Sequence, residues 1–448
     1  MRSQPPESES AQIPQEQHFG DVLGLEAVVH DADRPASIVW RAIIGVLSED
    51  WVRGLYPGVR DQVYLDVAAV GIVSTRVEAA MAEVLADHCR RGIGAAAEWR
   101  AMINRTRTLV AELVGGGADR LAFTQNTSTG LALVVNGIDW SRGDNVVVPA
   151  EEFPSNFYPW TQLRRRGVEV REVAVVDGHA DLEAIALLVD RRTRVLAISA
   201  VQYSSGYRYD LRPLGELCRA RDTLLVVDGT QAVGAMVVDA DAAEIDVLAV
   251  SAHKWLLGPF GIGFVALSER AMQRLHPSTT GWLSVEEPFA FDHEPRLATD
   301  GRRFESGTEN AAGIAGLGAT IATVLEIGRE AVETTVLDRT AELADLLEAA
   351  GLRISRPADR SRCSGILIAT TGHDDAMLYR RLVEPACSAP SGEPVSASRR
   401  TTTRQRAISS TLHGSSRRRR RDRRQSAAFD EGENLAIVGA ARARSLLL

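Results

Sequence analysis

Lysine is nearly absent from this chain. Of the 51 basic residues among 448, 50 are arginine and one is lysine, Lys254. A coding bias toward arginine explains replacement wherever only positive charge is needed, but not the retention of one lysine. Arginine stays protonated at any accessible pH, whereas a lysine amine can lose its proton and attack a carbonyl. Cysteine is also scarce. Cys89, Cys218, Cys363 and Cys387 lie far apart, which excludes a disulfide framework and any paired-cysteine metal spacing, so no metal is expected. No uncharged apolar run reaches the roughly 18 to 20 residues of a membrane helix, and the nearest, 310–325, is interrupted by Gly and Thr. The first 18 residues are polar and lack the apolar centre of a secretory signal, so a cytoplasmic location is expected.

What is present is an alternation. Short apolar runs at 121–124, 145–149, 168–173, 194–201, 223–228, 245–251 and 261–267 are separated by helical stretches such as 155–166 and 211–221. Runs rich in Val and Ile with little polar alternation suit strands buried on both faces. The expected fold class is α/β, with a mainly parallel seven-stranded sheet forming a large domain over 61–310. Before it, 1–20 reads as a disordered leader and 21–60 as an N-terminal helical segment. Long helices at 311–327 and 330–350 and a strand at 366–370 suggest a small α+β domain over 311–384.

Past Glu384 the character changes. Residues 394–425 carry 11 Arg and one acidic residue, Asp422, a net of +10 in a chain of net −8, which leaves −18 on the rest. The segment 385–448 therefore reads as aberrant, Arg-rich and disordered. A basic tail is one basis for nucleic-acid binding on a non-catalytic scaffold, but interleaved aromatics and helical periodicity are missing, so no nucleic-acid partner is expected. Back-translating 391–410 with permitted codons and reading two nucleotides further along yields a segment containing Arg-Val-Ser-Pro-His-Tyr-Tyr. A frameshift near Glu384 is the expected explanation, and sequencing the gene across codons 384 to 410 tests it.

Four clusters carry residues suited to chemistry. Ser251-Ala-His253-Lys254-Trp255 follows a buried run and precedes the glycine-rich 258–263. Open α/β sheets place ligand groups at such strand ends, where Lys254 beside a hydroxyl and an imidazole suits a Schiff base next to a phosphate. Taken alone, it equally suits a solvated loop lysine. Asp228, closing the run Thr223-Leu-Leu-Val-Val227, is costly to bury without a cation or donor. A protonated pyridine nitrogen would be such a partner; a helix cap is the plainer alternative. Asn126-Thr127-Ser128-Thr129-Gly130 offers hydroxyls and free N–H groups at a helix start, an anion site or simply a cap. Phe153, in Glu152-Phe-Pro-Ser-Asn156, sits where an aromatic covers a cofactor ring or fills a core.

In this order, and with Tyr64-Leu-Asp66-Val-Ala-Ala69 before and Arg303-Phe-Glu-Ser-Gly-Thr308-Glu-Asn310 after, the clusters resemble the class V aminotransferase family. These are fold-type I pyridoxal-phosphate (PLP) enzymes that include cysteine desulfurases, kynureninases and isopenicillin N epimerase-like proteins. The resemblance covers residues 60–383. It implies that Lys254 forms the internal aldimine and shuttles the α-proton of a small amino-acid substrate, in transamination or C–S/C–C lyase chemistry. It further implies that Asp228 holds the pyridine nitrogen, Gln231 the phenolic oxygen, and Thr127, Ser128, Ser251 and His253 the phosphate. Thr308 would come from the second subunit of a homodimer, Phe153 would stack on the ring, and Tyr203 would lie near the cofactor oxygen or the substrate carboxylate. Cysteine desulfurase is the alternative reading. Against it, Phe153 stands where desulfurases carry His, and neither Cys363 nor Cys387 lies in a recognisable desulfurase loop. The family's substrate-carboxylate Arg falls in the segment recovered only by the shifted frame, so that role goes to no residue.

Overall fold

In the computed structural model, the described residues are 49–59, 63–291, 293–372, 375–383 and 436–438. Seven strands form the main sheet: β1 Leu121–Thr124, β2 Asn145–Pro149, β3 Glu169–Val173, β4 Thr193–Ser199, β5 Leu224–Asp228, β6 Val247–Ser251 and β7 Gly263–Leu267. Their order is β1-β7-β6-β5-β4-β2-β3, with β7 antiparallel to both neighbours and the β6-β5-β4-β2-β3 block parallel. Each of the seven expected apolar runs is a strand, with ends that differ from the expected ones by at most two residues.

The helices are α1 Glu49–Leu55, α2 Thr75–Arg91, α3 Ala96–Val114, α4 Thr127–Gly137, α5 Tyr158–Thr161, α6 Leu182–Leu188, α7 Leu211–Ala220, α8 Glu269–Arg274, α9 Ala311–Ile327, α10 Arg329–Ala349 and α11 Asp375–Val383. Among the described residues no single helix is long and apolar enough to cross a membrane.

Strand residues divide by parity between two cores. Val147, Leu196, Ile198, Leu225, Val227, Leu248 and Val250 face one layer. Val146, Val148, Val195, Ala197, Val226, Val247 and Ala249 face the other. Side chains alternate across a pleated strand, so a sheet covered on both faces needs apolar residues at every position. That is why these strands read as unbroken apolar runs.

Two expectations need correction. The stretch 155–166 is not one helix. It is a 3-10 turn at Pro154–Asn156, α5, and a second 3-10 turn at Gln162–Arg166. Pro159 has no N–H for a helical bond and crowds the preceding turn. The domain boundary at 311 also moves. Helix α9 packs on α2 and α3, and its Ile314, Leu317, Ile321 and Val324 share the large core with the start of α10. Ala344 and Leu347, near the end of α10, join a separate small core with Leu352, Leu367, Ala369 and Leu378. The small unit thus begins within α10.

It contains an antiparallel sheet of β8 Arg353–Ser355, β9 Ile366–Thr370 and β10 Ala436–Val438, in the order β10-β9-β8. The tail was expected to lack structure, yet Ala436 pairs with Ile368 and Val438 with Ile366. The remainder of 385–448, including the frameshift segment, lies outside the described residues, as do the leader and most of 21–60.

Candidate active site

A cavity of about 800 Å³ opens at the carboxyl ends of β4, β5 and β6, walled by the turn after β2 and the start of α4. Lys254, Asp228, Thr127, Ser128, Phe153, Tyr203, Gln231, Ser251 and His253 all line it. Nine residues from five separate chain segments therefore converge as the sequence led us to expect. Thr308 does not line the cavity of its own chain and is exposed. Among the described residues no arginine and no cysteine lines it.

Lys254 follows β6 in a tightly boxed turn. The Gly71 N–H donates to His253 O at 2.7 Å, and Leu257 N–H donates to Lys254 O at 2.8 Å. Leu257 takes φ 53, a left-handed conformation uncommon for a branched residue, held by this packing. Behind it Trp255 is fully buried. The Trp255 indole donates to Gln231 Oε1 at 2.8 Å, and Gln231 Nε2 donates to Ala68 O at 3.1 Å. The second amide hydrogen of Nε2 remains for the cavity.

The Lys254 ammonium lies 5.0 Å from the Phe153 ring centroid. Phe153 meets Tyr203 edge-on, at 5.2 Å and 77°. Burial lowers the Lys254 pKa, with Asp228 and then Asp66 pulling the other way. A lowered pKa favours the neutral amine, which is the nucleophilic form.

Asp228 is buried at the end of β5 and accepts from Thr230 N–H at 2.9 Å. Among the described residues it forms no ion pair. Burial raises its pKa, opposed by Thr230 and by the charge of Lys254. Such a carboxylate is stabilised by a protonated heterocycle placed against it. His253, stacked on Phe260 at 5.3 Å, has a lowered pKa from burial and from Lys254.

The start of α4 gathers hydroxyls and amides at one end of the cavity. Asn126 caps the helix, accepting from Thr129 N–H at 2.9 Å. Thr127 N–H donates to Ser251 Oγ at 2.8 Å, and the hydroxyls of Thr127 and Ser251 lie 2.7 Å apart. Thr230 Oγ1 is 2.5 Å from Thr127 Oγ1. Ser128 donates to Ser155 at 2.8 Å. Hydroxyls and amides clustered at a helix N-terminus are suited to an anion.

Sequence reasoning missed Thr230, Ser199, Asp66, Ser204 and Ile368 as cavity-lining residues. Asp66 lies inside a quoted motif and Thr230 lies between Asp228 and Gln231, so both were within reach. Ser199 had only the position of a serine closing an apolar run. Ile368 arrives from the small unit, a contact with no local signal.

The cavity suits PLP. It offers an anion pocket at one end, an unpaired buried carboxylate, a lysine amine and an aromatic cover. It also holds a buried hydroxyl, Ser204 Oγ, that has no partner. The fold and this site define a fold-type I PLP-dependent enzyme. The Aminotransferase class-V profile matches residues 63–408, running past Glu384. The chain belongs to the class V aminotransferase family. It is 34% identical over 313 residues to a probable cysteine desulfurase of Methanothermobacter thermautotrophicus, covering 67% of this chain and 76% of the relative. A probable cysteine desulfurase of Pyrococcus abyssi is 30% identical over 308 residues, 66% of this chain and 76% of that one. Among solved structures, apo cysteine desulfurase from Thermococcus onnurineus NA1 superposes with a TM-score of 0.65 at 26% identity, covering 71% of this chain and 81% of that chain. C-DES, solved as a lysine-to-alanine mutant with glycine covalently linked to its PLP cofactor, shares the fold with a TM-score of 0.68 at 24% identity, over 73% and 90% of the two chains.

Proposed function

We propose that the enzyme binds a small amino acid on PLP and removes its Cα proton with Lys254, leading to transamination or to C–S or C–C cleavage. The observation that carries this reading is the chain's single lysine, its amine buried in the cavity with Asp228 and facing the Phe153 ring. When bound, PLP supplies an electron sink for the charge left at Cα. Asp228 would keep the pyridine nitrogen protonated. Gln231 would donate its free amide hydrogen to the phenolic oxygen. Thr127, Ser128, Ser251 and His253 would hold the phosphate, and Phe153 would cover the ring. Tyr203, which lines the cavity beside Phe153, would lie near the cofactor oxygen or the substrate carboxylate. Its pKa is raised by burial and by Glu151, so it stays a neutral donor. The second subunit of a homodimer contributes Thr308.

Desulfuration of cysteine is the second reading, favoured by the names of the relatives. Two features weigh against it. Phe153 cannot transfer a proton where an imidazole would. Cys89 is exposed on α2 and Cys218 is buried in α7. The Cys363 thiol donates to Pro357 O at 3.3 Å, so none of these three lines the cavity.

The test is the visible spectrum of the PLP-loaded protein beside Lys254→Ala, before and after borohydride, followed by an amino-acid panel. A yellow band in the parent that borohydride bleaches, with no covalent cofactor on the variant, is expected. A keto acid, or pyruvate with ammonia, identifies transamination or lyase chemistry. Alanine from cysteine, with the sulfur released as sulfide by an added thiol reductant, moves the assignment to desulfuration. A protein that stays colourless with excess PLP refutes the reading.

A further inference from the structure

Glu152 is a buried carboxyl beside the cavity to which the chemistry above gives no role. It lies in the turn after β2 and clasps one residue twice. Oε1 accepts from the Ser199 N–H and Oε2 from the Ser199 hydroxyl, each at 2.6 Å. Ser199 ends β4, pairs in register with Asp228 on β5, and lines the cavity. Glu152, Ser199 and Asp228 thus stand in a row across the ends of three adjacent strands.

A hydroxyl carries one hydrogen. While Glu152 is ionised, that hydrogen is committed to Oε2. When Glu152 carries a proton, Oε2–H donates to Ser199 Oγ and the hydroxyl hydrogen is free to turn into the cavity, next to Asp228. We propose that Glu152 is a positioning residue whose protonation reverses the Ser199 hydroxyl and so resets the hydrogen bonding at the Asp228 edge of the cofactor ring. This rests on the PLP reading above.

The surroundings support a titration in the working range. Burial pushes Glu152 up to about 7, opposed by its two hydrogen bonds from Ser199 and reinforced by Asp228. The groups facing it are Asp228 from β5, Tyr203 and Tyr209 from the segment after β4, Asn156 from its own turn, and its neighbour Glu151. Both tyrosines are held above their usual pKa, so they stay neutral. Two buried carboxylates that repel one another resist joint ionisation. Since Asp228 must be charged to hold a pyridinium, Glu152 is the member that keeps a proton.

The test uses holoprotein reduced with borohydride, which fixes the ring to Lys254 and removes the titration of the lysine–cofactor bond. The ring's absorbance is then followed from the acid to the alkaline side of neutrality in the parent, Glu152→Gln and Ser199→Ala. The glutamine amide donates to Ser199 Oγ while its carbonyl still accepts the Ser199 N–H, imitating the protonated acid at every pH. The parent is expected to show a step centred near pH 7. Glu152→Gln loses it and keeps the parent's acid-side spectrum throughout, and Ser199→Ala, with the carboxyl but without the hydroxyl, also loses it. Absence of the step in the parent, or its persistence in either variant, overturns the proposal. If Glu152→Gln fails to fold by circular dichroism, Ser199→Ala decides alone. A parent that retains no reduced chromophore overturns the cofactor reading instead.

Discussion

Replacing Gly71 by alanine tests how the lysine turn is held. Gly71 has ordinary φ, so the argument is steric. An added Cβ would lie 2.4 Å from Lys254 O, 2.5 Å from Leu257 Cδ2 and 3.2 Å from Leu257 Cα. Lys254 O is a backbone atom already engaged by Leu257 N–H, and the Trp255 backbone is pinned on the other side by Gly234, whose own Cβ would fall 2.6 Å from Trp255 O. Restoring an ordinary contact requires a displacement of about 1 Å, and overpacking of that kind costs about 1–3 kcal/mol. A displacement of that size at a reacting group can lower turnover about 10²-fold. Urea unfolding of the apoprotein and a spectrophotometric PLP titration give the two readouts. Gly54→Ala is the control, because nothing lies within 4 Å of its Cβ and the site is exposed on α1. The control is expected to be neutral or slightly stabilising. Gly71→Ala with the parent's stability and cofactor affinity would falsify the claim that this contact positions Lys254.

Arg107→Ala is expected to destabilise the fold by about 3–5 kcal/mol, since it strips a buried carboxylate of its cation. Arg107 forks onto Glu305 at 3.0 and 2.9 Å and donates to Leu121 O at 2.7 Å. A loss under about 1 kcal/mol in denaturant unfolding would contradict that account. Glu152 makes the apoprotein's stability depend on pH. Its pKa rises from 4.5 to about 7 on folding, so between those values the folded state binds more protons than the unfolded one, and stability falls as pH rises. The gap corresponds to about 3 kcal/mol. Glu152→Gln is expected to flatten this part of the stability profile, and a slope unchanged in the variant counts against the burial argument.

Much of this protein was legible one residue at a time. The seven strands showed as apolar runs because a sheet covered on both faces admits few polar residues, and that demand is written locally. Lys254 and Asp228 stood out because each carries chemistry its neighbours do not. The helix at 155–166 was misread because apolar spacing suggested it while Pro159 prevents it. Assigning α9 to the small domain failed for a different reason: the partners of a helix are set by long-range packing, and α9 found α2 and α3.

Tertiary structure alone decided which hydroxyls meet. Thr230 joins Thr127 and Ser251, and Glu152 closes on Ser199 across 47 residues of chain. Residue identity in the sequence determined what each group can do. Which groups act together depends on distances of 2.5 to 5.0 Å between segments far apart in the chain, and those distances exist only once the sheet has brought the strand ends side by side.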